Sequence, residues 1–257
     1  MLPLRDENPH PTGYKPIITY ALIAINVLVF FIEVAYTGQF IEFTNNSAYN
    51  LFYNWGAVPN CVAGGTVSNI DFGKGPLQVA CPDAPYLSLL SSVFLHGGAM
   101  HLGGNMLFLW IFGDNIELKF GKIKYLAIYL MWGIVSGLVH ILGDTSSVIP
   151  AVGASGAISG VLGAYLVIFP RAKIQTAIMM GFFMRMMHIQ ARWFLPFWLV
   201  FQNLLPFFIG GFGIAGGGVA YLAHIGGFAV GLATGYLYKK THSSEFTYGT
   251  RYGYRPD

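Results

Sequence analysis

Six stretches of this chain, at about residues 17–36, 93–113, 124–142, 155–169, 193–209 and 217–238, are almost wholly apolar. Most approach the ~20 residues a helix needs to cross ~30 Å of hydrocarbon. A sequence that repeats this pattern has little choice of solvent. With 54% hydrophobic and 10% charged residues it lacks the charge to cover a soluble surface, where about a quarter charged is usual. The expected fold is an all-α membrane protein of six transmembrane helices. The fourth is short, since about 15 residues at 1.5 Å each reach only ~22 Å. The first follows a Pro-rich polar leader, keeps Asn26 and Glu33, and has no small-residue cleavage site, so it reads as a retained anchor.

Lys and Arg mark the inner face of a membrane protein. With six spans and an inner N-terminus, thirteen of the fourteen basic residues fall inside, and only Lys74 lies outside, in the loop from Thr37 to Ser92. This divides the chain into a cytoplasmic leader (1–16), a six-helix membrane domain (17–238) with a long outer first loop (37–92), and a cytoplasmic tail (239–257). The net charge of +3 describes one membrane face and gives no sign of a nucleic-acid surface. The outer loop carries both cysteines, Cys61 and Cys81, which would form a disulfide in an oxidising compartment and otherwise remain two thiols. The Met-rich piece at 178–190 reads as an amphipathic inner-face segment, because Arg185 and His188 interrupt it.

Polar groups inside hydrocarbon are costly, so they mark either packing hydrogen bonds or a wet site. His101 and Asn105, four apart, share one face of the second span. Ser155 heads the short fourth helix, and His224 sits about seven residues, or ~10 Å, below the outer end of the sixth. Both thus fall at one depth. The fourth helix carries Gly156, Gly160 and Gly163, and the sixth His-x-x-Gly-x-x-x-Gly-x-x-x-Gly from His224. Small faces of this kind let two backbones approach closely, which would bring hydroxyl and imidazole together. A serine activated by an imidazole base, beside the free N–H groups of a helix start, suits acyl transfer. No intramembrane Asp is available to orient His224, which points to a Ser-His dyad rather than a triad. The Gly-x-Ser-x-Gly elbow of soluble hydrolases is not met, because residue 157 is alanine.

These residues resemble the rhomboid intramembrane serine proteases. GASG at 153–156, AHIGGFAVG at 223–231, HLGGN at 101–105, WGAVPN, FLHGGAMHLGGNMLFLWIFG and Asn-Ile-Glu ending at Glu117 stand in family order. The resemblance implies Ser155 as nucleophile, His224 as general base and acid, and His101, Asn105 and the Ser155 backbone N–H as oxyanion stabilisers. It further implies no metal or cofactor, single-span membrane proteins as substrates, and an active site opening to the outer face of the plasma membrane. Two features depart from the simplest members: Ser159 stands where some carry a tyrosine that stacks on the histidine, and the cysteine-bearing insertion at 60–82 is longer. The glycine-rich connection at 210–218 matches the family's cap over the site.

Each polar residue alone has a duller reading. Ser159 suits helix packing, and His96 and His140 suit a satisfied core, with His96 near the loop mouth. Rival protease classes lack their residues: no His-Glu-x-x-His string and no paired intramembrane Asp is present. No span carries the paired charge or broken repeat of a transporter. The remaining alternative is a proteolytically inactive membrane-protein binding or trafficking factor on the same scaffold, for which Ser155 would be dispensable.

Overall fold

A computed structural model describes residues 1–71, 76–180, 183–209 and 220–243, and these are predominantly helical. Lys74, the connection at 210–218, and Arg251 and Arg255 of the tail lie outside the described residues. In chain order the elements are β1 (Leu2–Asp6), α1 (Ile17–Thr37), α2 (Asn46–Trp55), α3 (Pro59–Val62), the short strands β2 (Ile70–Asp71) and β3 (Pro76–Leu77), and α4 (Ser88–Ser91). There follow α5 (Ala99–Phe120), α6 (Lys122–Gly143), α7 (Ser155–Ile168), β4 (Lys173–Met180), β5 (Phe183–Gln190), α8 (Ala191–Leu199), α9 (Leu205–Ile209) and α10 (Tyr221–Thr241). A π turn at Val200–Leu204 joins α8 to α9.

Each apolar stretch of the sequence contains helix, but among the described residues only α1 and α6 are long and apolar enough by length and composition to cross a membrane. The others fall short for local reasons. Polar Asp114, Glu117 and Lys119 occupy the last turns of α5, α7 has only 14 residues, and the π turn interrupts the fifth stretch. The second stretch is also helical later than expected: Ser92–Phe94 forms a 3₁₀ turn and α5 begins at Ala99, leaving His96 in the connection.

The core is built around α7, whose residues are nearly all buried and which touches α5, α6, α8 and α10. Its tightest neighbour is α10. A Cβ placed on Gly227 or Gly231 would run into the carbonyl oxygens of Gly156 and Gly160, so the two backbones meet with no side chain between them, as small-residue faces allow. Trp132 of α6 is fully buried against Gly160 and donates from Nε1 to Thr234 Oγ1 at 3.2 Å. Glu117, at the end of α5, accepts from Ile18 N–H (3.0 Å), Thr19 N–H (2.8 Å) and Thr19 Oγ1 (2.9 Å). It thereby fills the open donors at the start of α1, where a carboxylate is favoured by the helix dipole.

The segment between α1 and α5 clasps the approach to α7. Ala57 and Ala151 exchange backbone hydrogen bonds (3.0 and 2.8 Å), Asn60 N–H donates to Ser147 O at 2.9 Å, and Tyr53 Oη donates to Val148 O at 2.6 Å. Cys61 and Cys81 are joined as a disulfide with Cα atoms 5.4 Å apart.

The helical expectation omits two sheets, the small β2–β3 pair and a larger one. β1, β4 and β5 form a three-stranded antiparallel sheet in that order. The Met-rich piece is therefore extended and paired, with Thr176 opposite Met187 and Lys173 opposite Gln190. Its neighbour β1 comes from the polar leader, with a register shift between Pro3 and Arg5, where a proline has no ladder N–H to give. Glu7 N–H donates to Lys173 O at 3.0 Å, and Tyr165 Oη donates to Asp6 Oδ2 at 2.6 Å.

Candidate active site

Gly153 sets the start of α7. Its φ of +125° belongs to the region that only glycine enters without strain, and its N–H donates to Ser92 O at 2.8 Å. Two residues later Ser155 is the first residue of the helix, so the N–H groups of that turn have no intrahelical acceptor. Opposite it, α10 begins at Tyr221 among the described residues, which puts His224 in the first turn of that helix rather than two turns down. The side chains meet: Ser155 Oγ lies 2.7 Å from His224 Nε2. On the other side of the ring, His224 Nδ1 lies 2.6 Å from Asn203 Oδ1, a residue of the π turn.

His101 and Asn105 flank the strained glycine. A Cβ built on Gly153 would stand 2.8 Å from His101 Nε2 and 3.6 Å from Asn105 Nδ2. His101 Nδ1 accepts from Gly97 N–H at 3.2 Å, which leaves its Nε2 to carry the ring proton toward that point. Asn105 Nδ2 is buried without a partner, and so is a donor aimed at nothing the protein supplies. Two side-chain donors and the open N–H groups of α7 thus converge next to the serine, an arrangement suited to an oxygen that gains negative charge.

His224 and Asn203 also line a cavity of about 380 Å³ with Trp198, Phe201, Gln202 and Tyr221. Its lining is mixed, with the rings of Trp198, Phe201 and Tyr221 beside the polar Gln202 and Asn203.

The remaining sequence candidates make no hydrogen bond to the Ser155 hydroxyl or the His224 ring. Ser159 Oγ donates to Ser155 O at 2.7 Å, the i−4 back-bond of a packing serine. His140 makes no hydrogen bond to Ser155 or His224, and His96 is fully buried with its ring 5.2 Å from that of His101; neither is the satisfied core histidine expected, since both ring nitrogens of His96 and Nδ1 of His140 are buried without a hydrogen-bond partner. Among the described residues no group of three His, Cys, Asp or Glu side chains is placed to hold a metal ion. Sequence reasoning missed Asn203. The signal was its amide inside the stretch 193–209, the same signal that singled out Asn105, but nothing in the sequence reports the π turn that faces it toward His224.

Residues 84–241, more than half of the chain, match the Rhomboid domain. Rhomboid protein 1, mitochondrial, of Saccharomyces cerevisiae is 30% identical over 162 residues, 60% of this chain and 42% of the yeast protein. Rhomboid protease GluP of Bacillus subtilis is 33% identical over 152 residues, 59% of this chain and 24% of that protein. The human presenilin-associated rhomboid-like protein, mitochondrial, is 35% identical over 88 residues, 34% of this chain and 23% of its own length. The aligned part is therefore less than half of each of these relatives. The domain match extends from ahead of Ser155 to beyond His224, and the chain belongs to the rhomboid family, which is membrane-integral and includes serine proteases.

Proposed function

We propose that the chain is an intramembrane serine endopeptidase in which Ser155 attacks a peptide bond of a membrane protein and His224 acts as base and then acid. The observation that carries the reading is the 2.7 Å approach of Ser155 Oγ to His224 Nε2, made by two helix starts. In the first step the Oγ–C bond forms as the proton passes to Nε2, and the carbonyl π electrons move onto oxygen. Donors from His101, Asn105 and the Ser155 backbone N–H receive that charge. Collapse expels the amine, which takes the proton from His224, and a water then repeats the sequence on the acyl-enzyme.

In this reading the apolar helices are six spans, α7 is the short fourth, and residues 37–92 form an outer loop lying against the site. Three contacts support one shared inner end for the leader and the basic loops. β1 pairs with β4, Tyr14 Oη donates to Asp114 O at 3.2 Å, and Tyr238 Oη donates to Lys119 O at 2.9 Å. The leader (1–16) and tail (239–257) are then cytoplasmic and the membrane domain runs over 17–238. Single-span membrane proteins are the proposed substrates and the plasma membrane the proposed location. The yeast and human relatives are named as mitochondrial, so membrane fractionation is the test of location. The chemical test is incubation of purified wild type and Ser155→Ala with a panel of single-span proteins in liposomes. Cleavage by wild type alone is expected, and a product formed equally by both would overturn the assignment.

A further inference from the structure

We infer that Asn203 is a positioning residue for the site: its side-chain oxygen holds His224 in the one neutral tautomer whose Nε2 is able to receive a proton from Ser155. The inference rests on the proposed roles of Ser155 and His224. An amide oxygen only accepts, so an Nδ1 lying 2.6 Å from Asn203 Oδ1 must carry the ring hydrogen. The lone pair is then on Nε2, 2.7 Å from Ser155 Oγ. The way round of the amide is set in turn by Asn203 Nδ2, which donates to Trp198 O at 3.4 Å; a reversed amide would oppose two oxygens there.

The fold makes a specific arrangement to place this amide. Leu205 N–H reaches back five residues to Val200 O, and the wide turn shifts the helix register, a local distortion frequent at functional sites. Asn203 is 1% exposed while Phe201 and Leu205 beside it are 52% and 43% exposed. A buried amide in an apolar segment costs free energy unless its hydrogen bonds are made, and here both sides of it are engaged. No other described residue takes on the task. Ser159 offers no ring, its hydroxyl being spent on Ser155 O, and the Trp198 ring centroid stands 6.3 Å from that of His224 at 36°. The other titratable groups acting on His224 are His101 of α5 and His140 of α6, with Tyr221 of α10 on the shared cavity wall; none bonds to Nδ1.

A direct test reads the tautomer. In ¹⁵N-histidine protein in micelles, with the His224 signals assigned by their loss in His224→Ala, wild type at neutral pH is expected to show a protonated Nδ1 and a bare Nε2. A wild-type ring protonated at Nε2 alone overturns the inference. Kinetics supply the second arm. Asn203→Leu and Asn203→Ala are expected to lower kcat by about 10- to 100-fold with KM within about twofold. Asn203→Asp, which retains an acceptor oxygen, is expected to recover most of kcat. Wild-type kcat in both apolar variants, or a loss in Asn203→Asp as deep as theirs, overturns the positioning role. Should wild type cleave nothing while its Nδ1 is protonated, the protease reading fails and the positioning geometry stands. Should wild type and the apolar variants cleave alike, the reverse holds.

Discussion

Asn105 ends in a buried NH₂ group that the folded chain leaves without an acceptor. Other buried polar atoms, such as the Tyr125 and Tyr129 hydroxyls, also lack partners, but the Asn105 amide is the one that stands beside Gly153 and the start of α7. If it meets a developing oxyanion, Asn105→Ala lowers kcat by about 100-fold with KM little changed; initial rates over a substrate series read this directly, and an unchanged kcat contradicts it. The four residues chosen from sequence, Ser155, His224, His101 and Asn105, were legible because polar groups in apolar spans are few and each stood next to a glycine-rich face. Asn203 was not. Its meaning depends on a turn one residue wider than an α-helix, which neither Pro196 nor Pro206 announces.

Between elements, the contact of α7 with α10 sets the separation of Ser155 from His224. It depends on having no side chain at Gly227 and Gly231. Gly231→Val places carbon against the Gly160 carbonyl, two turns below His224. Overpacking of this kind costs about 1–3 kcal/mol, and the helices can relieve it only by moving apart. The expected outcome is a lower melting temperature in detergent together with a loss of cleavage at least as large as that of Asn105→Ala. Retained activity would mean that this seam does not fix the site. Helix positions were readable from apolar periodicity, and the close seam from small residues at every fourth place. The sheet was not, because β4 and β5 gain their third partner from residues 2–6, and no local pattern reports a pairing across about 170 residues.

Over the whole molecule, the leader is fastened to the helical core through Asp6, which Tyr165 and Asn8 both contact. Burial holds its carboxyl above the usual carboxylate range, outweighing the hydrogen bonds from Tyr165 and Asn8 and the nearby His10. A carboxyl raised on folding contributes its stability fully below the unfolded value of 3.8 and loses it as pH rises through the folded value. Asp6→Asn therefore flattens the dependence of melting temperature on pH on the acid side of neutrality; equal slopes in wild type and variant would contradict this. The outward faces agree with a membrane setting: Leu28 and Ile123 are 62% and 86% exposed on α1 and α6, the two helices among the described residues that are both long and apolar enough to span. Everything in the functional account turns on Ser155 being made reactive by His224. Intact-mass measurement of the folded protein after treatment with a fluorophosphonate tests this most directly. The account predicts one adduct, mapped to Ser155, in wild type and none in Ser155→Ala or in a His224→Ala variant that still melts cooperatively; an adduct on Ser155 that forms as fast without the histidine, or no adduct in wild type, would contradict it.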